Sequence, residues 1–206
     1  MKRSRLFLIT GLFLVAPGAA LSAQAAPTPV DFRPFSDARF WIVKEPLVYR
    51  VGVSKDSIVI PRGFVTDFAS IPPALQSLIQ QNGPNLLPAV VHDYLYWTGI
   101  CNRRQSDQLF KLAMIENRVT AVQQTAIYNA VRAAGSFAWD GNRQEQRRGL
   151  VRIIPEDRIN VPHLTDWRDY QTQLKAEGAT DRPHLPISTR FCKRGDMTVT
   201  AALRNP

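Results

Sequence analysis

Between Phe40 and Thr66 the chain reads in twos; from Ser70 onward it reads in threes and fours. Trp41-Ile42-Val43, Leu47-Val48-Tyr49-Arg50-Val51 and Ser57-Ile58-Val59-Ile60 are short runs of β-branched and aromatic residues, which suit a pleated, half-buried surface. Gly52 to Asp56 carries turn chemistry between the last two runs. Pro61 cannot donate to a ladder, so it ends a strand or sits at its edge. Gly63 permits an unusual backbone turn. A small antiparallel meander is the natural reading. The later change of period adds helices to it. The expected fold class is α+β, a small antiparallel sheet packed against three to four helices, with a C-terminal extension.

The helical part is punctuated by prolines and glycines. Pro72 and Pro73 suit the first turn of a short helix through Gln80, and Asn82-Gly83-Pro84-Asn85 breaks it. Leu86 to Tyr96 is a second helix, closed by Thr98-Gly99. Ser106 can cap a third helix through Asn117, with Asp107 well placed in its first turn. Phe110, Ala113, Met114 and Asn117 then share a face. A fourth helix spans Thr120 to Trp139, its stripe made by Ile127, Val131, Ala134 and Ala138. Gly135 in that stripe is a tolerated weakness or a point of close helix approach. Asp140-Gly141-Asn142 reads as its end. Beyond it, Val151 to Ile154 suggests a short strand. Leu164 to Ala176 suggests an amphipathic helix, with Leu164, Trp167, Tyr170 or Gln171, and Leu174 on one side and Thr165 or a preceding residue as its cap. Residues 26–142 form the main domain and 143–206 an extension packed on it.

Residues 1–25 read as a signal peptide. Lys2, Arg3 and Arg5 precede an apolar run from Leu6 to Val15, and Ala23-Gln24-Ala25 fits the small-x-small cleavage pattern. The run is shorter than the roughly 20 apolar residues a membrane span needs. No stable span is therefore expected after cleavage, and a periplasmic or secreted location is. The net charge of +9 loses three basic residues with the signal. The rest is scattered, densest at Arg143, Arg147, Arg148 and Arg152, and reads as a solvated face. No nucleic-acid motif accompanies it, so no nucleic-acid partner is expected. Cys101 and Cys192 are the only cysteines. Export favours a disulfide between them, which would tie the tail to the loop after the second helix. Two free thiols are the alternative.

Acids and a histidine recur in three short blocks: Pro61-Arg-Gly-Phe-Val-Thr-Asp67-Phe-Ala-Ser70-Ile-Pro-Pro73, His92-Asp93-Tyr94-Leu95-Tyr96, and Ser106-Asp107-Gln-Leu-Phe110. His92 titrates near neutrality and suits a general base. Its helical neighbour Asp93 diverges from it by about 100°, and Tyr96 lies on the His92 face. If Asp67, His92, Asp93 and Asp107 converge, they make a catalytic or ligand site. His92, Asp93 and Asp107 would then be candidate ligands for a divalent metal ion, which would activate a water. Ser70 and Tyr96 are candidate ligand-binding residues. The alternative is structural: Asp67 and Asp107 serve helix N-termini, His92 is a satisfied core histidine, and Arg103 and Arg104 neutralise the acids. The order Gly-x-Ser-x-Gly is absent, as is any glycine-rich phosphate loop.

These blocks, with Tyr128-x-x-Val131-Arg132 after them, resemble the DUF1353 family of uncharacterised phage and bacterial proteins. By that resemblance Asp67, Ser70, His92, Asp93, Tyr96 and Asp107 are the functional candidates. An exported, phage-related protein would meet the cell wall. The expected role is therefore a peptidoglycan-directed hydrolase with an Asp/His site, its partner a cell-wall component or another envelope protein. The alternative is a non-catalytic binding or phage-derived interaction module in which the same motif fixes the fold.

Overall fold

A computed structural model describes residues 31–68, 83–181 and 189–204. The signal segment, Ser70 and the short helix expected through Gln80 lie outside the described residues.

The fold is α+β, but its strands form two small antiparallel sheets rather than one meander. The first orders β1 (Phe32–Pro34), β2 (Trp41–Val43) and β5 (Val65–Thr66) as β1-β2-β5, with Trp41 opposite Thr66. The second pairs β3 (Leu47–Arg50) with β4 (Ser57–Ile60), Leu47 opposite Ile60. Leu47, Tyr49, Ile58 and Ile60 face inward, while Val48 and Val59 face out. The separation has a local cause. Gly63, at φ +85°, turns the chain between β4 and β5, and its N–H bonds Val43 O of β2 at 2.8 Å. A Cβ there would lie 2.5 Å from Ile154 O. The expected strand at Val151–Ile154 is a single bridge, Phe64 to Ile153, flanked by Val65 N–H to Arg152 O at 2.8 Å.

Helix α1 (Leu86–Thr98) is the axis of the molecule. Every residue from Pro88 to Trp97 is buried, as expected of a helix that is packed on all sides. Gly99, left-handed at φ +61°, closes it. Helix α2 (Arg103–Glu116) begins earlier than Ser106. Asn102 caps it by accepting from Gln105 N–H, and the Gln105 side chain returns to the Asn102 N–H. This capping box places Ser106 and Asp107 inside the helix, both buried.

Helix α3 runs from Ala121 to Arg147, through the expected break at Asp140-Gly141-Asn142. Its far end is held by α1: the Arg143 guanidinium donates to Tyr96 O at 2.5 Å and to Trp97 O, and Gln146 Nε2 donates to Trp97 O at 2.7 Å. Its buried stripe is Ile127, Val131, Gly135 and Asn142. Helix α4 (Trp167–Ala176) starts at Asp166, which accepts from Arg168 and Asp169 N–H. Trp167, Tyr170, Gln171 and Leu174 are its buried face, whereas Leu164, before the helix, is exposed.

The tail returns as a 3-10 helix, Arg190–Asp196, and as α5 (Val199–Arg204). A Cys101–Cys192 disulfide joins it to the α1–α2 connection. Cross-linking residues 91 apart in sequence constrains the unfolded chain by about 4 kcal/mol in the chain-entropy account. Among the described residues, no helix is long and apolar enough to cross a membrane.

Candidate functional site

Because α1 is buried all round, each polar side chain on it must find a partner on whichever neighbour it faces. His92 and Asp93 are successive residues and point in different directions. His92 faces α2 and α3; Asp93 faces β5. The four expected site residues therefore divide into two pairs rather than one convergent cluster.

The first pair is His92 and Asp107. The Asp107 side chain is completely buried. It accepts from His92 Nε2 at 3.1 Å and Tyr96 Oη at 2.5 Å on one oxygen, and from Arg132 Nη1 at 2.8 Å on the other. Arg103 stands 3.9 Å away, one turn back on the same helix. Burial pushes the Asp107 carboxyl up, but the bonds from His92, Tyr96 and Arg132 outweigh it and hold the group below its usual value. Burial and Asp107 together raise the Tyr96 phenol. The His92 ring is enclosed by Tyr96 and Phe110, with centroids 4.0 and 4.6 Å away. Tyr96 in turn packs on Gly135, where a Cβ would meet its Oη at 2.5 Å. One carboxylate thus fastens α1, α2 and α3 together. Asp107 does not serve its helix N-terminus, and Tyr96 bonds Asp107 rather than His92. Of the two expected arginines, Arg104 pairs with Asp196 of the tail.

The second pair is Asp93 and Asp67. Asp93 is 1% exposed. Its Oδ2 accepts from Thr66 Oγ1 at 2.5 Å, and the same hydroxyl accepts from Phe68 N–H at 3.1 Å. The Asp67 carboxyl, half-buried just beyond β5, is near enough for its charge to act on Asp93. Oδ1 of each acid is buried without a partner. Two neighbouring carboxylates cannot both ionise at low cost. Burial and then the Asp67 charge hold the Asp93 carboxyl well above its ordinary range; the Thr66 bond and the Arg152 charge oppose this and lose. The turn that follows is strained: Phe68 has φ +55°, a conformation costing a bulky residue about 1–2 kcal/mol. Its ring is fixed against Phe32 and Trp41, with centroids 5.0 and 5.6 Å away. Strain of this kind gathers at functional sites.

Sequence reasoning missed Thr66, Arg132 and Arg152. Thr66 was one residue from a named acid, and Arg132 lay inside a recognised block. Arg152 was read as part of a solvated basic face, yet it is 4% exposed. Asp181 is a further omission: it accepts from Trp97 Nε1 at 2.6 Å and from the N–H groups of Arg152 and Ile153. Among the described residues, no group of three or more His, Cys, Asp or Glu side chains is placed to hold one metal ion. His92, Asp93 and Asp107 thus do not form the expected ligand set, because Asp93 points away from the other two. Cys101 is in the disulfide and does not pair with His92.

No curated protein and no solved structure matches the chain significantly. A family model, described as "Protein of unknown function (DUF1353)", matches residues 41–131. That stretch runs from β2 to the middle of α3 and includes both acid-bearing pairs, while Arg132, Arg152 and the disulfide-bound tail lie beyond it. Over residues 41–131 the chain is similar to the DUF1353 family.

Proposed function

We propose that this protein is an exported, cell-wall-directed hydrolase whose working centre is the Asp67–Asp93 pair. The observation that supports the reading is a buried, unpartnered oxygen on each of two neighbouring carboxyls. Such a pair holds one proton and one charge, so it offers a general acid and a general base in the same place. A proton shared by the two carboxyls would also select a bond. Glycosidases need their carboxyls about 5 Å apart or more, with room for the sugar or a water between. Acids close enough to share a proton suit amide hydrolysis. The charged carboxylate would take a proton from water as its oxygen attacks the carbonyl carbon. The protonated one would give its proton to the departing nitrogen, leaving a carboxylic acid and an amine. Peptide bonds of cell-wall stem peptides are then the substrate class. The signal-like start and the disulfide support an envelope location.

His92, Asp107 and Tyr96 act in this reading as the scaffold that sets α1 against β5. The test is release of new amino groups from purified stem peptides by the full chain. Asp67→Asn and Asp93→Asn should each reduce turnover to background while the fold persists; folded variants with unchanged turnover would sink the proposal.

A second reading, a non-catalytic binding module, draws on the complete pairing of Asp107. It predicts no amide turnover by the native chain and a marked fall in melting temperature for Asp67→Asn.

A further inference from the structure

Two of the three nitrogens of a buried guanidinium lack an acceptor near Asp93. Nε and Nη1 of Arg152 are buried and have no hydrogen-bond partner. The charge is near enough to act on Asp93, but Asp93 gives Oδ2 to Thr66 and leaves Oδ1 unpartnered. Arg152 is instead held by its backbone and by rings. Its carbonyl takes Val65 N–H at 2.8 Å, and its own N–H donates to Asp181 at 3.2 Å. The guanidinium lies 5.4 Å from the Trp97 ring centroid and 5.8 Å from that of Phe40. Those rings stabilise a cation and fix its plane, but they accept no N–H bond in the way an oxygen does. Removing a guanidinium from water without an acceptor costs several kcal/mol. Such a group calls for a water, an ion or a ligand from outside the chain to complete it.

We infer that Arg152 binds the carboxylate of a peptide ligand whose neighbouring amide lies against the Asp67–Asp93 pair. A planar guanidinium between aromatic rings matches a planar carboxylate. Charge sets the limit on the anion: with the carboxyls of Asp67 and Asp93 nearby, a monoanion is tolerated beside Arg152, while a phosphate dianion meets stronger repulsion. A carboxylate anchored there makes the site an end-reader, cutting near a peptide's free C-terminus. The inference rests on the reading of the acid pair as the working centre, and names what that centre would recognise.

The test titrates the full chain with N-acetylglycine and with N-acetylglycinamide, which differ only in the terminal carboxylate, and with inorganic phosphate. Saturable binding of N-acetylglycine, at least tenfold tighter than the amide or phosphate, is the expected result. Equal affinities, a preference for phosphate, or binding of neither glycine probe would overturn the inference, and none of these readouts requires a variant to fold. Arg152→Gln should erase the preference for the carboxylate, and Arg152→Lys should retain part of it; a preference surviving in folded Arg152→Gln also overturns the inference. Asp93→Asn separates the two readings. Probe selectivity kept while amide turnover is lost supports both, whereas unchanged turnover overturns the acid pair and not the carboxylate selectivity.

Discussion

Replacing Asp107 by Ala should be among the most damaging single changes available in this chain. The carboxylate has no exposed surface and receives His92, Tyr96 and Arg132. Without it, two buried donors, His92 Nε2–H and Tyr96 Oη–H, lose their acceptor, at about 1–3 kcal/mol each. Arg132 is more than a third exposed, so water takes over much of its bonding and adds little to the cost. The sum, about 2–6 kcal/mol, brackets the usual penalty of about 3–5 kcal/mol for breaking a buried ion pair from one side. With a urea slope of about 2 kcal/mol per molar, the unfolding midpoint should fall by about 2 M. The pH dependence carries a sign. The folded carboxyl titrates below its unfolded value, so its contribution is present above about pH 4 and is lost as pH falls through the folded value. The gap between native chain and variant should therefore narrow in acid. A midpoint shift under about 0.5 M at neutral pH, with an unchanged slope, would refute Asp107 as the fastener of α1, α2 and α3.

Asp93→Asn should behave in the opposite way. The folded Asp93 carboxyl titrates above its unfolded value, so the native chain loses stability as pH rises from about 4 toward the folded value. Urea titrations at pH 4 and pH 8 should show the variant gaining relative to the native chain at the higher pH. Gly135→Ala puts a methyl 2.5 Å from the Tyr96 Oη, which Asp107 pins. A loss of about 1–3 kcal/mol is expected from such overpacking, read as a lower thermal midpoint. The double change Cys101→Ser, Cys192→Ser should cost up to about 4 kcal/mol, measured by the same urea titration.

Local chemistry was legible where local forces decide. The strands at Trp41–Val43 and Ser57–Ile60, the glycine that closes α1 and the buried face of α4 can be read from period and punctuation. The capping box at Asn102 and Gln105 was equally local and was overlooked in favour of Ser106. Long-range forces hid the rest. Asp140-Gly141-Asn142 is a turn by propensity, but Arg143 and Gln146 draw α3 onward onto the carbonyls of α1. The pairing of β2 with Phe32–Pro34 and with Val65–Thr66 is invisible to a window of neighbours. So is the burial of Arg152, whose surroundings come from Phe40 and Trp97. At the candidate site the residue types were readable while their grouping was not. The 100° between His92 and Asp93 becomes decisive only when both sides of α1 are covered.

The raised Asp93 carboxyl can be observed directly by following side-chain carboxyl carbons of aspartate-labelled protein by NMR from pH 3 to pH 9, with Asp93→Asn to assign the resonance. The account predicts an Asp93 carboxyl that stays protonated well above the ordinary carboxylate range. An Asp93 carboxyl fully ionised by pH 5 would contradict it.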